Sequence, residues 1–199
     1  MGAVIMSARR TLHPGPPRAD RVAVAVALRP RRALVWLPEG ETLYNALVSA
    51  FARFGVRAGA FHLIGGDLSV AAYHVAVPRD DSSRAVEYGP PIQLEGGARL
   101  VRATGSYGED LSGLPLLHIH GALAEPMGRA HGGHLSPHMC VVGPGGVRAI
   151  LMLTVGFKQV VDRETRYSLF FPYSEVTAHA PIHHSRDQHW SGGERARGA

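Results

Sequence analysis

Two histidines, His118 and His120, stand one residue apart at the end of the apolar stretch Leu114-Pro-Leu-Leu-His-Ile-His120, and a third, His134, follows a glycine pair in Gly132-Gly-His-Leu135. On a strand, residues i and i+2 point to the same face, so His118 and His120 present two imidazoles side by side. If the chain folds back as a hairpin through the turn-like segment Ala124-Glu-Pro-Met-Gly-Arg129, the two glycines let the backbones approach closely and His134 arrives beside the pair. Three neutral imidazoles at one spot suit zinc or a similar divalent ion, with a fourth position left open. The plainer alternative is a set of partly buried, hydrogen-bonded histidines. An isolated HxH does not decide between the two, whereas HxH followed by GGHL favours the metal because the glycines explain how the third ligand gets there.

Other groups with chemical capacity are less organised. A metal-activated water needs a base, and Glu41, Asp67 and Glu95 qualify by chemistry alone, each being as readily a surface or turn carboxylate. Neither a Ser-His-Asp nor a Cys-His pattern is present, and Cys140, the single cysteine, reads as a small packing residue that can form no disulfide within the chain. Gly65-Gly66 lacks the spacing of a phosphate-binding loop. His13 lies in His13-Pro-Gly-Pro-Pro17, either a disordered terminus or an arm laid across a neighbouring surface that delivers His13 to a site.

A chain of 199 residues reads as one domain with tails and can bury a sizeable core. With 45% hydrophobic and 19% charged residues the composition is that of a globular protein. No apolar run approaches the ~20 residues of a membrane helix, and the first ten residues lack the order of a secretory signal, so the expected location is the cytoplasm. The net charge of +5 raises nucleic acid as a partner, but Lys158 is the only lysine among 21 basic residues. The arginines are scattered, and the densest group, Arg29-Pro-Arg-Arg32, is too short for a phosphate-binding stripe and reads as a solvated loop between strands.

The elements that must position the histidines follow from periodicity. Val22, Val24, Val26 and Leu28 alternate as a strand, and Ala33–Leu37 is a second. Leu43, Leu47, Ala50, Phe51 and Phe54 recur at helical spacing, predicting an amphipathic helix from Thr42 to Phe54 with Gly55 as its stop. Strands are expected at 59–64, ending in Gly65-Gly66-Asp67, then at 70–77, 92–94, 99–104, 139–142, 147–155 and 167–171, besides the HIH strand and its return. Loops or turns are expected at 78–84, at 104–113, at Gly143-Pro-Gly-Gly146 and at 162–165. The apolar pattern fades after Val176, where His179, His183, His184 and His189 sit in a tail with no packing pattern. The expected organisation is an N-terminal arm over 1–20, one domain over 21–175 and a flexible tail over 176–199. The expected fold class is α+β, a mainly antiparallel sheet with one main amphipathic helix.

Taken in order, Gly40-Glu-Thr-Leu43 leading into the helix, Gly65-Gly-Asp-Leu-Ser69, Leu117-His-Ile-His120 and Gly132-Gly-His-Leu135 resemble the PPC domain (plants and prokaryotes conserved), over roughly residues 33–155. The resemblance implies a domain with a central antiparallel sheet that assembles as a homotrimer, and it maps the family's clustered histidines, its metal ligands, onto His118, His120 and His134. In plant members a separate AT-hook carries DNA binding while this domain mediates association; prokaryotic members usually stand alone. The chain departs from the family in three places. It has no AT-hook core, so minor-groove binding in the plant manner is not expected. His138 follows GGHL where the family often has glycine, and is either a fourth ligand, a supporting group or an exposed loop histidine. The HPGPP arm and the segment 162–172 lie outside the common domain.

Three functions compete. A three-histidine zinc site with an open position suits a metal-dependent enzyme or a small-ligand binder. The family resemblance and the positive charge suit an oligomerisation and interaction module tied to DNA-binding or transcriptional regulation through partners. A closed site completed by His138 or His13 would instead be structural. The expected reading is the first, a three-histidine site with a small molecule as partner in the homotrimer that the resemblance implies; without an AT-hook direct DNA binding is not expected, nor is membrane binding.

Overall fold

The computed structural model describes residues 13–17, 30–79, 84–153 and 156–173. The strand expected at 22–28, Arg29, most of the turn at 78–84 and the histidines of the 176–199 tail lie outside these residues.

The described chain runs β1 (Arg31–Leu37), α1 (Leu43–Ala52), β2 (Gly59–His74), β3 (Ala76–Pro78), β4 (Val86–Tyr88), β5 (Ile92–Leu94), β6 (Ala98–Glu109), β7 (Pro115–Ala124), β8 (Ala130–Leu135), β9 (Val141–Leu153), β10 (Gly156–Val161) and β11 (Ser168–Tyr173). The large sheet has the order β1-β9-β2-β8-β7-β6-β10-β11, with β5 on β2, and β3–β4 forms a separate hairpin. All its pairings are antiparallel except a single parallel contact of Lys158 in β10 with Glu109 in β6. A mainly antiparallel sheet with one short helix is therefore observed, as the pattern predicts.

The helix forms where the 3.6 period demands. Thr42 caps it, its side chain accepting a hydrogen bond from Asn45 N at 3.1 Å, and Gly55 at φ +68° ends the following turn. Leu43, Ala46, Leu47, Ala50 and Phe51 are buried. Phe51 meets Phe61 and Tyr107 at ring-centroid distances of 6.2 and 4.8 Å, fastening α1 to one face of the sheet. The histidines occupy the opposite face.

β2 is the longest of the described strands and pairs with four others, β5, β6, β8 and β9. Its first half lies between β9 and β6, and its end reaches β8 through Tyr73↔Leu135 and His74↔His134. Because β6, β7 and β8 follow one another in the sheet, the strands β2, β6, β7 and β8 close on themselves. Register shifts between Leu63 and Val70, and Gly65 and Gly66 at φ +127° and +129°, mark where β2 curls; bulges of this kind bend a strand and increase its twist.

Four local expectations are corrected. β2 does not end at Ile64, since the glycines bend the strand instead of terminating it. Residues 104–109 are strand, not loop: Thr104 and Ser106 are the outward members of an alternation whose inward members are Ala103 and Tyr107. Gly143–Gly146 is no free turn but a bulge within β9, set opposite Asp67 between the pairs Leu68↔Val142 and Gly66↔Val147. Arg31 and Arg32 belong to strand β1, and Arg31 donates to Phe54 O at 3.3 Å.

Candidate metal centre

One row of paired positions crosses the outward face: Leu34, Ile150, His62, Thr104, His120, His134 and finally His74. It leaves β2 at His62 and returns to it at His74, because the strands close. Directly paired residues share a face, so register alone places His120 beside His134. His118 stands two residues before His120, opposite Ser106.

The glycines of GGHL act as the sequence suggests. A Cβ at Gly133 would overlap the His74 carbonyl oxygen, and one at Gly132 would lie 2.8 Å from Gly121 O. Neither has a positive φ; space, not conformation, requires glycine here. Without these two side chains β8 fits between β2 and β7 and carries His134 into place.

The three rings converge. His118 Nε2 and His120 Nε2 are 3.0 Å apart, the centroids of His118 and His120 lie 4.8 and 5.3 Å from that of His134, and one nitrogen from each ring falls within 4.8 Å of the others. Two nitrogens bound tetrahedrally to one zinc at about 2.0–2.1 Å stand roughly 3.3 Å apart, close to the first separation. Burial, then the neighbouring His120, holds His118 below the ordinary imidazole range. Burial, followed by His118, His120 and His74, pushes His134 down to about 4. Both rings are thus neutral near pH 7 and offer lone pairs, the state a metal requires. His134 Nδ1 is buried without a hydrogen-bond partner, an arrangement that is costly unless something satisfies it. The donor set fits a divalent ion of the zinc type.

Two further residues support His134, and no spacing rule points to either. Tyr88 stacks on its ring at 4.4 Å and 20°. His74 Nδ1 lies 2.8 Å from Gly89 O; a carbonyl only accepts, so Nδ1 carries the proton. His118 and His134 also line a cavity of about 710 Å³.

The remaining candidates are elsewhere. Among the described residues no carboxylate or thiol joins the three histidines. Asp67 lies 3.4 Å from Arg99 Nε, and Glu41 and Glu95 are exposed. His138 stacks on Tyr44 at 3.9 Å, and His13 is exposed and outside the cluster. Cys140 is buried, its thiol donating to Ala72 O at 3.2 Å, and burial raises its pKa, as suits a packing residue. His131, on the core side of β8, is a histidine the spacing does not single out. The Tyr73 hydroxyl lies 2.9 Å from its Nδ1. Its Nε2 lies 2.9 Å from Glu125 Oε1 but off the line of a hydrogen bond.

The family model of the Plants and Prokaryotes Conserved (PCC) domain matches residues 27–150. The chain belongs to this family. The PCC fold recurs in solved structures. A plant- and prokaryote-conserved protein of Pyrococcus horikoshii is 21% identical at TM-score 0.55, with 70% of this chain and 90% of that one covered. A metal-containing protein of Archaeoglobus fulgidus is 17% identical at TM-score 0.53, covering 76% and 99%. A protein of Ralstonia eutropha described as a "putative DNA-binding protein" is 21% identical at TM-score 0.54, covering 69% and 88%. At these identities the likeness is one of fold. No curated protein matches the chain. Among the described residues no helix is long and apolar enough to cross a membrane.

Proposed function

We propose that this PCC protein holds one divalent metal ion, zinc by the all-nitrogen donor set, on His118, His120 and His134, and binds or transforms a small molecule beside it. One observation carries the proposal: three imidazoles from two paired strands converge within 4.8 Å, two of them at the edge of a cavity. The metal-containing description of the Archaeoglobus protein of the same fold supports it. A divalent ion on three imidazoles supplies Lewis acidity and an open coordination position. The chain's own residues do the rest: Tyr88 and the β2–β8 pairing fix the His134 ring, and burial keeps His118 and His134 deprotonated. The test is elemental analysis of full-length protein made without an affinity tag, beside the His118→Ala/His120→Ala double variant, which retains the His-containing tail. One metal per chain lost in the variant is expected; equal metal in both removes the proposal.

We further propose a homotrimer. Leu34 and Trp36 on β1 are 56% and 61% exposed on the outward face, and apolar area of this kind suits a subunit contact. Sedimentation equilibrium should return three times the chain mass; a monomer overturns this.

The second reading is an interaction module associated with DNA-binding or transcriptional regulation, favoured by the description of the Ralstonia protein of this fold and by the net charge of +5. Steeply salt-dependent binding to a random-sequence duplex would favour it over the first.

A further inference from the structure

The family match ends at residue 150, but the chain continues into the β10–β11 hairpin. Tyr167, just before β11, ties this hairpin to β4: its hydroxyl accepts from Val86 N at 2.8 Å and donates to Val86 O. The cavity of about 710 Å³ beside His118 and His134 is walled by both hairpins. That volume is in the range of sites for small organic molecules.

Its wall is chemically two-sided. Leu116, Tyr88, Leu169 and Phe170 supply apolar and aromatic surface, and Arg84 and Glu87 supply charge. Glu87 is paired with Arg79. Arg84 has no ion-pair partner among the described residues, and its guanidinium lies over the Tyr167 ring at 5.6 Å from the centroid. Among the described residues the lining therefore carries one positive charge without an ion-pair partner, in a group whose planar donors fit a carboxylate, set against an apolar wall.

We infer that this cavity binds a small organic carboxylate with an apolar body. Arg84 takes the carboxylate, the apolar wall encloses the body, and the other end of the molecule faces His118 and His134. Only this last contact rests on the proposed metal site. The β10–β11 hairpin is then what sets ligand choice, since it contributes Leu169, Phe170 and the tyrosine that positions Arg84.

The experiment is calorimetric titration of the full-length protein, zinc-loaded and chelator-treated, with 3-phenylpropionate, its uncharged amide and inorganic phosphate. Saturable 1:1 binding of 3-phenylpropionate is expected, with the amide and phosphate at least about tenfold weaker. Arg84→Gln, at an exposed position, should bind the carboxylate about tenfold more weakly or worse, the loss of a charge-assisted pair, with an unchanged circular dichroism spectrum. Leu169→Ser should weaken the carboxylate severalfold without changing its preference over the amide. Absence of binding with and without zinc overturns the inference, as does equal binding of the amide or of Arg84→Gln. Binding abolished by chelation yet normal in Arg84→Gln overturns it too, because the ion alone would then hold the ligand. Carboxylate binding that survives chelation and needs Arg84 upholds the cavity while removing the metal from ligand recognition.

Discussion

His118 Nε2 and His120 Nε2 lie 3.0 Å apart. Two neutral imidazoles at that distance either share a proton in a hydrogen bond, one donating and the other accepting, or turn both lone pairs toward a third body. Only in the second arrangement do both rings serve as ligands.

Removing one ring should therefore separate site from surface histidines. His118→Ala is expected to weaken zinc binding by at least about a hundredfold, since even supporting partners of ligands cost ten- to a hundredfold. His138→Ala, whose ring stacks on Tyr44 instead, is expected to leave it unchanged. Competition with a chromophoric chelator measures both, and equal losses would refute the ligand assignment.

His134 has a folded-state pKa near 4 against an ordinary 6.5, and His118 moves in the same direction. Below about pH 6.5 the unfolded chain takes up a proton that the folded protein refuses. Stability of the metal-free protein must then fall as the pH drops from about 6.5 and level off once His134 protonates in the folded state near 4. Partial exposure of the ring limits the size of the effect. Urea unfolding of chelator-treated protein at about pH 7 and about pH 5 should show the lower midpoint at acid pH, with a smaller difference in His134→Ala; an undiminished difference in that variant assigns the effect elsewhere.

Gly133→Ala forces a Cβ into the His74 carbonyl oxygen. Since backbone and not a flexible side chain is in the way, a loss of about 1–3 kcal/mol is expected, together with displaced His134 and reduced metal content. Thermal unfolding and elemental analysis check the two parts, and a fully stable, fully loaded variant would contradict the packing of β8.

Tyr73→Phe removes the hydroxyl from His131 Nδ1 on the core side of β8. Leaving that nitrogen unpaired should cost about 1–3 kcal/mol while metal content stays unchanged, because His131 is not one of the converging rings. Metal lost without a change in stability would show that the two sides of β8 have been assigned wrongly.

Phe51→Ala, at a fully buried position between Phe61 and Tyr107, should cost about 3–5 kcal/mol in urea unfolding. A much smaller cost would mean that α1 contributes little to the core.

The three histidines were legible in the sequence because their signal is local: a two-residue strand period and a glycine pair. The helix was legible for the same reason, with Thr42 and Gly55 marking its ends. What escaped depends on register between distant segments. Nothing near Tyr88 or His74 indicates that one stacks on His134 and the other pairs with it, since both follow from the closure of β2 onto β8. Thr104 and Ser106 read as loop because the face they occupy is polar. Gly65-Gly66 and Gly143–Gly146 read as breaks because a glycine bulge inside a strand and a glycine turn between strands have the same composition. The cavity was invisible because Arg84 and Leu169 come from hairpins far apart in the chain.

β8 meets β2 at only two rungs, Tyr73↔Leu135 and His74↔His134. A slip of this seam by a single residue would exchange the two sides of β8, driving the His134 imidazole into the core and setting Leu135 among the remaining histidines. Leu135 is fully buried, so the misaligned form would lose both its hydrophobic anchor and the third histidine of the cluster at once. Correct alignment of a six-residue strand and assembly of the cluster are consequently a single folding event, and a chain that has completed its sheet has also built its site.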